Sequence, residues 1–184
     1  KDMSKKKIAV IVGSLRKESY NKKIAQQLIS LSPENLEMEI VEIGNLPHYN
    51  EDIDQEQPHE EYVKFRKKIE QADGFLFVTP EYNRTISGVL KNALDVASRP
   101  YGKNMWSGKP GAIVSVSKSP LGGFGANLAL RQPMMFLNVL LMQNPEAYIG
   151  NVHNLFDDKG NLVAETEKFL TNFMASFEKW TNKF

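Results

Sequence analysis

Three short runs of apolar residues, set between segments of helical periodicity, constrain the fold of this chain most strongly. They are Ile8-Ala9-Val10-Ile11-Val12, Gly74-Phe75-Leu76-Phe77-Val78-Thr79 and Gly111-Ala112-Ile113-Val114-Ser115-Val116-Ser117. A strand with one wet face alternates apolar and polar residues. A strand covered on both faces does not, so these runs read as central strands of a parallel sheet with helices on either side. Glu37 to Ile43 alternates in part and reads as an outer strand, and a short fifth strand is expected near Glu146-Ala147-Tyr148-Ile149.

Helical spacing links the runs. A helix is predicted over Lys22–Leu28, and Tyr62, Phe65, Ile69 and Ala72 share one helical face. Val89, Leu90, Ala93, Leu94 and Ala97 share another. Leu128 to Leu141 is helical in character, with Pro133 expected to kink the helix or to lie in its first turn. Val163 to Phe184 reads as a final amphipathic helix whose Phe169, Phe173, Phe177 and Trp180 form a core stripe. Five strands alternating with five helices define an α/β protein: a doubly wound five-stranded parallel sheet in a three-layer α/β/α sandwich, expected as one domain over 1–184. Gly44 to Pro58, with two prolines and several acids, stands outside the pattern as a long loop of functional or partner-contacting type.

Ligands of open parallel sheets sit beyond the carboxyl ends of the strands. The loop after the first run, Gly13-Ser14-Leu15-Arg16-Lys17-Glu18-Ser19-Tyr20-Asn21, offers hydroxyls, an amide and a guanidinium at the start of a helix. There the free N–H groups and the helix dipole favour an anion. A dinucleotide fingerprint is absent, since Gly13 is its only glycine. The nearest P-loop imitation, Gly102 to Pro110, places proline where Ser or Thr is required. A terminal monophosphate held without metal suits the remaining donors. The competing reading is that Ser19 or Asn21 only caps the helix.

Two further loops reach the same edge. Thr79-Pro80-Glu81-Tyr82-Asn83-Arg84-Thr85-Ile86-Ser87-Gly88 offers an aromatic face and backbone donors to a flat heterocycle. Ser117-Lys118-Ser119-Pro120-Leu121-Gly122-Gly123-Phe124-Gly125 offers glycines that allow close backbone approach.

With these residues the chain resembles the NAD(P)H-dependent FMN reductases of flavodoxin-like fold, a group that includes bacterial quinone, chromate and azo reductases. The motifs carrying the resemblance are Gly13-Ser14-Leu15-Arg16 with Ser19 and Asn21, Pro80-Glu81-Tyr82-Asn83 with Ser87 to Asp95, and Ser117 with Gly122, Gly123 and Gly125. The resemblance implies that Ser14, Arg16, Ser19, Tyr20 and Asn21 hold the FMN phosphate end. Pro80, Glu81, Tyr82 and Asn83 would line the isoalloxazine, and Ser117, Gly122 and Gly123 would close the other side. It further implies NADPH or NADH as co-substrate, ping-pong transfer to a quinone, azo dye, flavin or similar acceptor, and no catalytic side chain. A homodimer or homotetramer is implied as well, with His48 to Asp52 approaching a neighbouring subunit's site.

Composition narrows the alternatives. A net charge of +1 gives no general electrostatic case for nucleic acid or anionic membrane. The absence of cysteine excludes a disulfide scaffold and a thiolate site, and His48, His59 and His153 lack metal-ligand spacing. No apolar run is long enough for a membrane span, so a cytoplasmic protein is expected. Glu51, Asp52, Asp54 and Glu56 form an acidic cluster with no evident partner, and Lys118 and Arg131 remain candidates for a dinucleotide's phosphates. The runner-up reading is a flavodoxin-type electron carrier. Such carriers are typically acidic, whereas this chain has an isoelectric point near 8.0.

Overall fold

Each apolar run forms a parallel strand in the computed structural model, which describes residues 5–184. In chain order the elements are β1 (Lys6–Val12), α1 (Tyr20–Ser30), β2 (Leu36–Ile40), α2 (Glu60–Gln71), β3 (Gly74–Thr79) and α3 (Gly88–Ala97). They continue with β4 (Pro110–Val116), α4 (Phe124–Phe136), β5 (Leu140–Leu141), β6 (Tyr148–Ile149) and α5 (Ala164–Thr181). Strand order is β2-β1-β3-β4-β5, with β6 also pairing β4, and every pair is parallel. The chain winds outward in opposite directions from β1 and β3. The crevice between the carboxyl ends of those two strands is therefore the topological switch point.

Alternation along each strand divides the interior into two layers. Ala9, Ile11, Phe75 and Phe77 face α2, α3 and α4, where Trp106 packs edge-on against Phe75 with ring centroids 4.8 Å apart. Ile8, Val10, Leu76 and Val78 face α1 and α5. Phe173 and Phe177 are fully buried there, each worth about 1.5–3 kcal/mol of apolar burial. Phe169 and Trp180 lie half-buried at the layer's edge, and the Trp180 indole donates to the Leu140 carbonyl at 2.7 Å.

Two expectations are corrected. The fifth sheet position is filled by two pieces, Leu140–Leu141 and then Tyr148–Ile149, so part of the segment expected to be helical is strand. Helix α4 also begins four residues early and stops at Phe136. It ends in a Schellman turn: Asn138 adopts φ 58°, its N–H donates to Met135, and the Val139 N–H donates to Met134 at 3.0 Å. Pro133 thus sits well inside the helix, not in its first turn.

The long loop from Gly44 to Pro58 is pinned to α2 and α3. Asn92 accepts from the Tyr49 N–H at 2.7 Å and donates to the Pro47 carbonyl at 2.9 Å. The Tyr62 hydroxyl donates to the His48 carbonyl at 2.8 Å and accepts from the Asn50 N–H. Burial pushes the Tyr49 and Tyr62 phenols above their usual range. The acidic cluster has a partner after all. Arg66 grips Asp54 with both terminal nitrogens, at 2.5 and 2.6 Å, and its Nε donates to the Val96 carbonyl. The Arg66 and Asp54 side chains are 7% and 2% exposed, so this is a buried pair.

Candidate functional site

The loops after β1, β3 and β4 meet at the switch point. Gly13 is required there by contact: a Cβ on it would lie 2.9 Å from the Pro80 ring and 3.3 Å from the Ser87 hydroxyl. Ser87 caps α3 by accepting from Leu90 N–H and also donates to the Gly13 carbonyl at 2.6 Å. The first and second loops are therefore bolted together by the start of α3.

Beside this junction lies a cleft lined by Ser14, Arg16, Ser19, Tyr20, Asn21, Pro80, Glu81, Tyr82 and Ser117. Val116, Lys118 and Val152 complete the lining. Lys118 could have been placed from the sequence, because it follows Ser117 at the end of β4. Val152 could not, since the broken fifth strand hides the register of that connection. Asn83, Gly122 and Gly123 are outside the lining.

The first loop keeps its donors free. Among the backbone hydrogen bonds of the described residues, none uses the N–H groups from Ser14 to Ser19. Ser19 does cap α1, accepting from Lys22 N–H at 3.3 Å, so the capping reading holds for this residue. Capping leaves the rest unexplained. Asn21 is 6% exposed, and its Oδ1 has no hydrogen-bond partner. The Oδ1 and Nδ2 positions of an amide are assigned from such networks, and the amide turned over would present its Nδ2 donor to an anion at that end. Arg16 and Lys118 form no ion pair among the described residues. The Lys118 ammonium lies 5.7 Å from the centre of the Tyr20 ring. Free N–H groups, an orphaned buried amide and cations without an ion pair among the described residues, at a helix N-terminus, have the chemistry to receive a doubly charged anion.

The second loop is a tight two-residue turn. Tyr82 and Thr85 exchange backbone hydrogen bonds at 3.0 and 3.1 Å, and Asn83 and Arg84 between them have φ 52° and 68°. Tyr82 is 46% exposed in the cleft wall. The Glu81 carboxylate turns away, accepting from the Ala126 N–H at 2.9 Å. In the third loop the Ser115 hydroxyl donates to the Gly122 carbonyl at 2.7 Å. A Cβ on Gly122 would lie 2.6 Å from the Tyr148 backbone, so this glycine serves close packing against the fifth strand position.

The chain belongs to the NADPH-dependent FMN reductase family, whose model matches residues 6–154. A quinone reductase of Pseudomonas putida is 56% identical over 173 residues, covering 94% of this chain and 93% of that protein. A 2-hydroxy-1,4-benzoquinone reductase of a Burkholderia species is 47% identical over 175 residues, covering 95% of each. Among solved structures, FerB from Paracoccus denitrificans, a flavoenzyme NAD(P)H:(acceptor) oxidoreductase, superposes with a TM-score of 0.90 at 40% identity. That match spans 97% of this chain and 98% of FerB. A flavodoxin from Pseudomonas aeruginosa, at 16% identity and a TM-score of 0.58, shares the fold alone, over 94% of this chain and 99% of its own.

Proposed function

We propose that the chain is an FMN-dependent oxidoreductase, one domain over 1–184, that moves reducing equivalents from NADPH or NADH to a quinone or similar small acceptor. Residues 1–4 of that domain lie outside the described residues. The reading is carried by the row of unpartnered N–H groups from Ser14 to Ser19, in the same cleft as Tyr82 and Ser117. The quinone reductases named above, aligned over nearly their whole length, support the acceptor class.

The donor set fits FMN. Ser14, Ser19 and Asn21 supply neutral donors, Arg16 supplies a guanidinium fork, and the start of α1 adds its dipole, which together suit a phosphate carrying about −1.5 to −2. Tyr20 and the unassigned Lys118 flank that end. Pro80, Glu81, Tyr82 and Asn83 form the turn offered to the ring as an aromatic face and main-chain donors. Ser117, Gly122 and Gly123 hold the opposite wall in place. The chemistry a bound FMN would supply is two-electron transfer between nicotinamide and acceptor. That chemistry requires no side-chain nucleophile. The chain's tasks are to bind the phosphate end, to orient the ring and to leave one ring face open.

The proposal extends to a cytoplasmic protein acting as a homodimer or homotetramer. The apolar side chains of Met135 and Phe136, 78% and 89% exposed on α4, are surface available to a second copy. No helix among the described residues is long and apolar enough to cross a membrane. The test is direct: purified protein is offered FMN, then NADPH or NADH with a panel of quinones. FMN uptake with nicotinamide-dependent quinone reduction is expected. Uptake without reaction toward either nicotinamide points to the electron-carrier reading, and failure to take up FMN removes both.

A further inference from the structure

We propose that Glu81 is a positioning residue: its carboxylate caps α4 from a distance and thereby fixes the turn that faces the flavin ring, without touching the ring itself. The inference rests on the FMN reading above.

The start of α4 needs an outside acceptor. The residue preceding the helix is Gly123, at φ 73°, which has no side chain to cap with. Phe124 N–H finds the Leu121 carbonyl, and Asn127 N–H finds the Gly123 carbonyl. Ala126 N–H has no local acceptor and is met by Glu81 Oε2 at 2.9 Å, from 45 residues earlier in the chain. A carboxylate in this position satisfies an orphan donor and also complements the positive end of the helix. The Glu81 side chain is only 14% exposed, and its one ion pair among the described residues, to Arg84, is long at 3.5 Å. Its principal partner is therefore the helix.

The packing shows that the contact is built for closeness. A Cβ on Gly125 would lie 2.8 Å from Glu81 Oε2 and 2.9 Å from the Arg84 carbonyl. Helix α4 thus approaches the turn to a separation that only glycine permits at this position. The turn moves as one piece, because the reciprocal hydrogen bonds of Tyr82 and Thr85 close it. Whatever holds Glu81 therefore sets where Pro80 and Tyr82 stand in the cleft wall. Among the described residues, the phosphate end does not contact Glu81. Arg16, Ser19 and Asn21 lie on the first loop and the start of α1, which meet the second loop through Gly13, while the Glu81 carboxylate bonds Ala126 and Arg84.

That separation yields a discriminating test. Affinities for FMN and for riboflavin, which lacks the phosphate, are measured by fluorescence titration on wild type, Glu81→Ala, Glu81→Gln and Arg16→Ala. Flavin absorbance and thermal melting are recorded in parallel. Glu81→Ala should weaken both ligands about tenfold, the effect of roughly 1.4 kcal/mol of lost positioning, and should alter the ring's absorbance envelope. Glu81→Gln keeps the acceptor and should recover most of the affinity. Arg16→Ala should weaken FMN alone. If Glu81→Ala does not fold, Gly125→Ala, which pushes the carboxylate while keeping it, should produce the same joint weakening. Wild-type affinities and an unchanged flavin spectrum in the folded Glu81→Ala or Gly125→Ala variant would overturn the positioning role and leave a cap for stability only. A wild type that binds neither ligand would overturn the FMN reading itself, a result distinguishable from the first.

Discussion

The loops that follow β1 and β2 leave the same edge of the sheet and use their polar groups in opposite ways. After β2, the Gly44–Pro58 loop has its backbone anchored by Asn92 and Tyr62 and its acid neutralised by Arg66. After β1, the N–H groups from Ser14 to Ser19 have no acceptor among the described residues, and one buried end of the Asn21 amide is unpartnered. Both loops look equally functional as sequence, since each is polar and each carries charge. The difference lies in the accounting of donors and acceptors. A buried polar group without a partner costs about 1–3 kcal/mol, which applies to the Asn21 amide, while the N–H groups of the exposed Leu15 to Glu18 stretch are left open to solvent or a ligand. The Gly44–Pro58 loop is held internally as scaffold, and the loop after β1 leaves its groups for the ligand proposed above.

Substitutions in the two loops should have opposite signatures. The largest effect on stability is expected at the anchored loop. Asp54→Ala leaves the buried Arg66 guanidinium without its counter-charge and should cost about 3–5 kcal/mol in chemical denaturation. The fraction that remains folded should still bind FMN, because this pair lies outside the cleft. Next comes Arg16→Ala, with the opposite signature. Stability should change by no more than about 0.5 kcal/mol. FMN affinity should fall roughly 10- to 100-fold, as about 1.5–3 kcal/mol from a charge-assisted contact implies, with riboflavin unaffected. Equal FMN affinity in that variant would undo the phosphate assignment. Tyr62→Phe removes the hydroxyl that serves both the His48 carbonyl and the Asn50 N–H and should cost about 1–2 kcal/mol of stability, read as a lowered Tm. The smallest effect is expected for Lys118→Ala. FMN should bind about two- to fivefold more weakly, from about 0.5–1 kcal/mol of exposed charge attraction, and the loss should shrink as salt rises. A Lys118→Ala variant with unchanged affinity at low salt would remove this residue from the site.

Much of this architecture was legible in the sequence, for physical reasons. Ile8–Val12, Phe75–Val78 and Ala112–Val116 are apolar on both faces, and only a strand covered by helices on either side sustains that. The candidate anion loop could be read because its polar residues are local, a few positions at the start of one helix. Three features were hidden because they depend on distant partners. The fifth sheet position is broken into Leu140–Leu141 and Tyr148–Ile149, each pairing with only two residues of β4, too short to leave a periodic signal. The early start of α4 at Phe124 has its Ala126 N–H met by Glu81, which comes from another loop. The Asp54 partner, Arg66, sits twelve residues away on a helix face, and nothing in the spacing distinguishes it from the lysines beside it.

The most direct measurement is an anaerobic reduction. FMN-loaded protein is mixed with stoichiometric NADPH, and separately with NADH, and the visible absorbance of the flavin is followed before any acceptor is added. The account predicts that at least one nicotinamide bleaches the flavin completely and that a quinone added afterwards restores the colour. A flavin that stays yellow with both nicotinamides while remaining bound would contradict the account and leave the chain an electron carrier.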